Sequence, residues 1–144
     1  MSKKKISASF TAYDIINEKN KKIGSRTAEK RIFYNDLLIS CNIGLSTVVL
    51  KKSLLKGKIK FPSLKTKEDY VLWLLLSKKK IIFYGINESL SFWRKTDTSL
   101  SSDTIQKLID GFMVYYKYMN FSIFKSLKHL ILLSLNYLKK LNFF

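Results

Sequence analysis

The apolar positions of this chain change period along its length, and the changes mark out its elements. Ile6 to Ile16 is rich in Phe, Thr, Tyr and Ile and reads as a strand. A polar turn, Asn17-Glu18-Lys19-Asn20, follows, and Lys22 to Arg26 returns as a second strand, which predicts a β-hairpin. Arg31 to Ser40 carries Tyr34-Asn35-Asp36-Leu37-Leu38, a short helix with Asn35 or Asp36 in its first turn. Asn42-Ile43-Gly44 breaks the pattern, and the β-branched run Leu45 to Leu50 reads as a buried strand. Lys51 to Lys65 is a basic connector. Thr66 to Ser77 reads as a helix, Ile81 to Tyr84 as a strand ending at Gly85, and Glu88 to Arg94 as extended or irregular.

After a polar loop from Thr96 to Ser102, the spacing predicts a helix over about 103–118. Ile105, Leu108, Ile109, Phe112 and Tyr116 stand at core-like intervals in it. A further helix spans Phe121 to Leu141. Phe124, Leu127, Ile131, Leu135 and Leu138 line one face, and Lys125, Lys128, His129, Asn136, Lys139 and Lys140 lie mostly on another. Trp73 and the stripe Tyr115, Tyr116, Tyr118 read as packing. Cys41 reads as a small buried side chain and His129 as a surface residue.

Charge changes this picture more than size does. The chain has 144 residues, which supports one domain or part of a larger one. Lys and Arg number 27 against 10 Asp and Glu, a formal charge of +17. Such a field favours nucleic acid, anionic lipid or phosphorylated ligands. Lys greatly outnumbers Arg, which suits a solvated surface or membrane attraction better than base readout through Arg forks. A single Cys and a single His offer neither an internal disulfide nor a zinc cluster. No signal peptide or apolar run of about 20 residues is evident.

In so basic a chain the adjacent acids Glu68 and Asp69, at the start of the most apolar helix, stand out. A carboxylate there can be a catalytic base, and a helix N-terminus favours its ionised form. The same residues, Thr66-Lys67-Glu68-Asp69, also fit a capping box with Asp69 turned back onto the backbone. Arg94 with Ser99 and Ser101 forms a candidate diphosphate clamp. Its alternative is a surface Arg and a loop whose Ser101 or Ser102 caps the next helix. Ser46 and Thr47 are polar residues in the expected buried strand, facing a ligand or hydrogen-bonded within the core. Trp93 is a candidate for stacking on a sugar ring.

Several segments, in order, resemble bacterial family 2 glycosyltransferases of the GT-A fold, in the acceptor-side, C-terminal half of those enzymes. Phe10 to Glu18 looks like the hairpin after their metal-binding strand. Tyr34 to Leu38 with Ile43 to Val48 looks like the helix and strand beneath the acceptor site. Lys67 to Leu74 looks like the catalytic-base helix. Ile86 to Leu90, Trp93-Arg94 and Ser99 to Ser101 look like the loop that closes over the donor. The resemblance implies an α/β chain, a partial GT-A (nucleotide-diphospho-sugar transferase-like) domain over 1–120, with an amphipathic C-terminal helix over 121–144.

The resemblance further implies Asp69 as the base of an inverting sugar transfer, with Glu68 beside it. Arg94, Ser99 and Ser101 would face the donor diphosphate, and Ser46 and Thr47 the acceptor. It implies a nucleotide-sugar donor and a glycan or lipid-linked acceptor, in surface polysaccharide or lipooligosaccharide synthesis at the inner face of a bacterial membrane. The complete family enzyme uses a divalent metal, Mg or Mn, held by an Asp-x-Asp motif. No such motif lies in this chain, so we expect it to bind no metal by itself and to be incomplete or inactive alone, with a separate chain as a possible source of the N-terminal half. The tail helix is expected to lie on an anionic membrane or to dock onto the domain or the absent half. The rival reading is a non-enzymatic basic module for nucleic acid or anionic membrane. Nucleic acid is disfavoured because no helix-turn-helix, zinc or RNA-binding signature is present.

Overall fold

A computed structural model describes residues 6–56, 60–96 and 103–141. Its element order is β1 (Ala8–Ile16), β2 (Lys22–Arg26), β3 (Arg31–Ile32), α1 (Tyr34–Leu37), β4 (Val49–Leu50), α2 (Glu68–Lys78), β5 (Phe83–Arg94), α3 (Thr104–Met113) and α4 (Ile123–Leu141). The strands form one mixed sheet in the order β2-β1-β5-β3, with β4 also pairing β1. β1 runs antiparallel to β2 and β4 and parallel to β5, so the chain between β1 and β5 must cross over the sheet. α2 lies in that crossover, as parallel pairing requires. The α/β class expected from the sequence is present.

The hairpin forms where its turn chemistry puts it. The Asn17 side-chain oxygen accepts from the backbone N–H groups of Lys19 and Lys21, at 3.0 and 2.9 Å. Asn20 takes the left-handed backbone at φ 61° that Asn tolerates. The pairing slips between Ile15 and Ile16, a bulge just before the turn.

α2 carries the core. Tyr70 to Leu74, Leu76 and Ser77 are all buried, so the helix is covered all round rather than on one face. On one side Trp73 meets Phe83 of β5 edge-on, with ring centroids 5.4 Å apart. Ala8, Phe10 and Ala12 of β1 join the same core. On another side the Tyr70 hydroxyl bonds the Leu37 carbonyl of α1 and lies 2.9 Å from the Tyr115 hydroxyl. Each large apolar side chain buried here contributes about 1.5–3 kcal/mol. Tyr115 belongs to a π turn, Val114–Tyr118, that ends α3. The Met119 N–H reaches back to the Val114 carbonyl at 3.0 Å, and this wider turn lets Val114, Tyr115 and Met119 all enter the core.

Several expectations are corrected. Leu45 to Leu50 is not a continuous strand: Leu45–Thr47 is a 3-10 turn, and only Val49–Leu50 pairs with β1. The Thr47 N–H and hydroxyl both donate to the Gly44 carbonyl, at 3.0 and 2.8 Å, and curl the backbone. Strand β5 does not end at Gly85 but runs through it to Arg94. A Cβ at residue 85 would lie 2.1 Å from the Glu29 carbonyl oxygen, so this glycine marks a close backbone approach inside a strand.

The apolar stripe of α3 is not core. Ile105, Leu108, Ile109 and Tyr116 are exposed, while Asp110, Gly111, Val114 and Tyr115 are buried. The apolar stripe of α4 is also exposed, Phe124 to 86%. That helix docks through Ser126 and Leu133 instead. His129, expected at the surface, is half-buried: its ring stacks on Tyr115 and lies tilted against Phe121, with centroids 5.4 and 5.3 Å away.

Candidate active site

The N-terminus of α2 opens into a cavity of about 520 Å³, and its construction begins with a displaced cap. Thr66, the expected cap residue, does not cap. Its N–H and hydroxyl both donate to Oδ2 of Asp110 on α3, at 2.7 and 2.8 Å. Lys67 becomes the N-cap in a left-handed conformation, φ 63° and ψ 17°, with no side-chain cap bond. The capping box is therefore absent. Asp69 bonds locally, accepting from its neighbour Tyr70 N–H at 2.7 Å and from its own backbone N–H.

Glu68 and Asp69 both line the cavity, with Tyr13, Ile43, Ser46 and Trp93. Burial pushes the Asp69 carboxyl above the usual carboxylate range. The Tyr70 N–H opposes that shift, and the Glu68 charge adds to it. A base whose pKa moves toward neutrality is better matched to proton abstraction than an ordinary surface carboxylate. Tyr13 stands across from it on β1. Burial raises its hydroxyl above the usual tyrosine value, the Arg26 charge lowers it, and Arg26 also hydrogen-bonds it. Trp93, 42% exposed, offers an open ring face to the same space.

The structure thus brings together Glu68, Asp69, Ser46 and Trp93. It does not bring Thr47, whose hydroxyl is spent on Gly44. Arg94 points elsewhere: its Nη1 donates to the Asn17 and Glu18 carbonyls, at 3.0 and 3.3 Å, and ties β5 to the hairpin turn. Ser99 and Ser101 lie outside the described residues. Tyr13 and Lys67 were not singled out from the sequence. The signal for Tyr13 was strand alternation, since Phe10 and Ala12 face the core and Tyr13 falls on the other face. Lys67 had none, because nothing local announces its left-handed backbone.

Among the described residues no three His, Cys, Asp or Glu side chains gather where they could hold a metal ion. The Glu68–Asp69 pair alone does not make such a site, and no metal step is derived from this chain. Nor is any helix among the described residues long and apolar enough to cross a membrane.

Comparison with known proteins points one way. The chain is 38% identical over 109 residues to the UDP-Glc:alpha-D-GlcNAc-diphosphoundecaprenol beta-1,3-glucosyltransferase WfgD of Escherichia coli, covering 75% of this chain and 42% of that protein. It is 35% identical over 86 residues to WfaP of Escherichia coli, which carries the same activity name, covering 60% of this chain and 34% of that one. It is 31% identical over 108 residues to a Bacillus subtilis protein named as a teichuronic acid biosynthesis glycosyltransferase, TuaG, covering 74% of this chain and 42% of that one. The relatives are glycosyltransferases, and this chain spans less than half the length of each. No family model matches the chain, and no solved structure does.

Proposed function

We propose that this chain is the acceptor-side part of an inverting, family 2 glycosyltransferase of GT-A fold, acting on a lipid-linked sugar in bacterial surface polysaccharide synthesis. The observation that carries the reading is a half-buried Asp69 carboxylate that lines the cavity while it makes no capping box. Thr66 is held by Asp110 and the cap passes to Lys67, so Asp69 keeps only local N–H bonds and stays at the cavity wall.

In this reading an acceptor sugar enters beside Trp93, Tyr13 and Ser46. Asp69 takes the proton from its attacking hydroxyl. The new bond forms between that oxygen and the anomeric carbon of the donor, the bond to the nucleoside diphosphate breaks, and inversion follows from attack opposite the leaving group. Glu68 keeps the local field negative and helps raise Asp69. Binding of the donor diphosphate and its metal is assigned to parts of the enzyme outside these 144 residues. The relatives' names, with a UDP-sugar donor and a diphosphoundecaprenol-linked acceptor in two of them, supply the substrate class.

The membrane setting is supported by α4. Phe124, Leu127, Ile131, Leu135 and Leu138 face away from the domain, and Lys125, Lys128 and Lys139 are exposed beside them. A helix with that division lies in the plane of an anionic interface. The test of the whole reading is transfer from UDP-glucose to a lipid-diphosphate sugar, by the chain alone and with a separately made donor half. Turnover that survives Asp69→Asn at the original rate would remove the base assignment.

A further inference from the structure

We propose that the groove between α3 and α4 holds the lipid-diphosphate end of the acceptor. Its apolar walls take the first units of a polyprenyl chain, and the ammonium groups of Lys67, Lys107 and Lys140 take the diphosphate. The inference rests on the glycosyltransferase reading and adds the place where the acceptor's leading charge and lipid sit.

The groove has a volume of about 550 Å³, within the size of ordinary small-molecule sites. Its walls include Leu108 of α3 and Leu130, Leu133 and Leu138 of α4, and its cations are Lys67, Lys107 and Lys140. No acidic side chain lines it. An apolar slot ringed by lysines complements one kind of molecule, an apolar chain ending in a strong anion. Gly111 keeps the two helices close enough to form the slot: a Cβ there would lie 2.8 Å from Leu130 Cδ1.

None of these three cations forms a close ion pair among the described residues, although the charges of Asp69 and Asp110 act on Lys67 and that of Glu29 on Lys140. Lys140 is held by neutral acceptors, with its Nζ 2.6 Å from Ser40 Oγ. Burial lowers both Lys67 and Lys140 below the usual lysine value, the nearby Asp69 charge opposes that shift on Lys67 and the Lys107 charge adds to it, and an arriving diphosphate would favour the charged form of both.

Position completes the argument. Lys67 lines this groove and the Asp69 cavity alike. A sugar in that cavity joined directly to a diphosphate would place the phosphates beside Lys67, as the chemistry of a diphospholipid-linked sugar demands. At its other end the groove reaches Leu138, which belongs to the exposed apolar stripe of α4. The lipid therefore has an apolar path outward, toward the face that α4 would lay on a membrane.

The experiment is calorimetric titration of the full chain with farnesyl diphosphate, and separately with farnesol and with inorganic pyrophosphate. Farnesyl diphosphate is expected to bind saturably and about tenfold or more tighter than either half-ligand. Lys107→Gln, on the surface of α3, should weaken it several-fold. Ser134→Phe, which fills the groove, should abolish it while the circular dichroism spectrum is kept. Phe124→Ser, outside the groove, should leave it unchanged. Equal binding of either half-ligand, or binding indifferent to both groove variants, would overturn the proposal. Because the titration needs no donor and no turnover, its failure is separable from failure of the transferase reading. Asp69-dependent transfer to a soluble sugar without prenyl-diphosphate binding removes the groove alone. Groove binding without Asp69-dependent transfer supports the groove and removes the base.

Discussion

Thr66 gives two hydrogen bonds, one from its N–H and one from its hydroxyl, to a single oxygen of Asp110, at 2.7 and 2.8 Å. The other Asp110 oxygen accepts from Gln106 Nε2 at 3.0 Å. This buried carboxylate on α3 therefore fixes the residue that would otherwise cap α2. The sequence separation of 44 residues hides the relationship, yet it decides what Asp69 can do.

Asp110→Ala should leave the Thr66 N–H and hydroxyl buried without a partner. The expected cost is about 1–3 kcal/mol of stability, read by urea unfolding. Asp110→Asn keeps an acceptor for Thr66 and should lose less. Transfer activity should fall in Asp110→Ala, where Thr66 is released to the cap position and the setting of Asp69 changes, and fall less in Asp110→Asn.

Asp69→Asn should separate activity from stability. Transfer is expected to fall by about 10²–10⁴-fold through loss of the base. The folded-state pKa of Asp69 is raised by burial, so the folded chain holds the proton better than the unfolded chain, and ionisation at neutral pH costs stability. The variant should then melt higher at pH 7, by about 1–3 °C. That gain should fade as the pH falls through the raised value toward the ordinary carboxylate range. On the proposed reading, the rising limb of the pH–rate profile for transfer by the unsubstituted chain should lie above that range.

Gly85→Ala tests the close approach within β5. The added Cβ would meet the Glu29 carbonyl oxygen at 2.1 Å, a backbone atom that cannot turn aside. A loss of about 1–3 kcal/mol or more is expected, measured by thermal unfolding.

The stripe on α4 should show itself as binding without stability. Phe124→Ser and Leu135→Ser remove exposed side chains and should leave the melting temperature nearly unchanged. Each should weaken sedimentation with phosphatidylglycerol vesicles by about tenfold, set by the apolar area withdrawn from the bilayer. Binding should also fall with added salt.

The hairpin, α2 and α4 were legible in the sequence because each is decided locally. The Asn17 turn closes itself, α2 is apolar on every side, and the period of α4 is unbroken. Leu45 to Leu50 was misread because β-branched content says nothing of the Thr47 hydroxyl, which draws the chain back to Gly44. The stripe on α3 was misread for another reason. Periodicity reveals that a helix has an apolar face but not that Asp110 and Gly111, on a different face, have the closer partners. Of the residues that line the cavity, Glu68, Asp69 and Ser46 are candidates the sequence names and Trp93 one it weighs. Tyr13 and Lys67 enter only through folding, and Arg94 is drawn to the hairpin turn instead.

With its apolar stripe turned outward, this chain should draw on its +17 charge to stay dispersed. Mutual repulsion keeps the stripes of neighbouring molecules apart in dilute buffer. Raising ionic strength, or raising the pH toward the pI of about 9.9, withdraws that repulsion and leaves the stripes free to meet. Self-association should therefore grow under the same high salt that loosens the chain from an anionic surface, so a single colloidal measurement, light scattering across a salt gradient, reads the stripe from the opposite side.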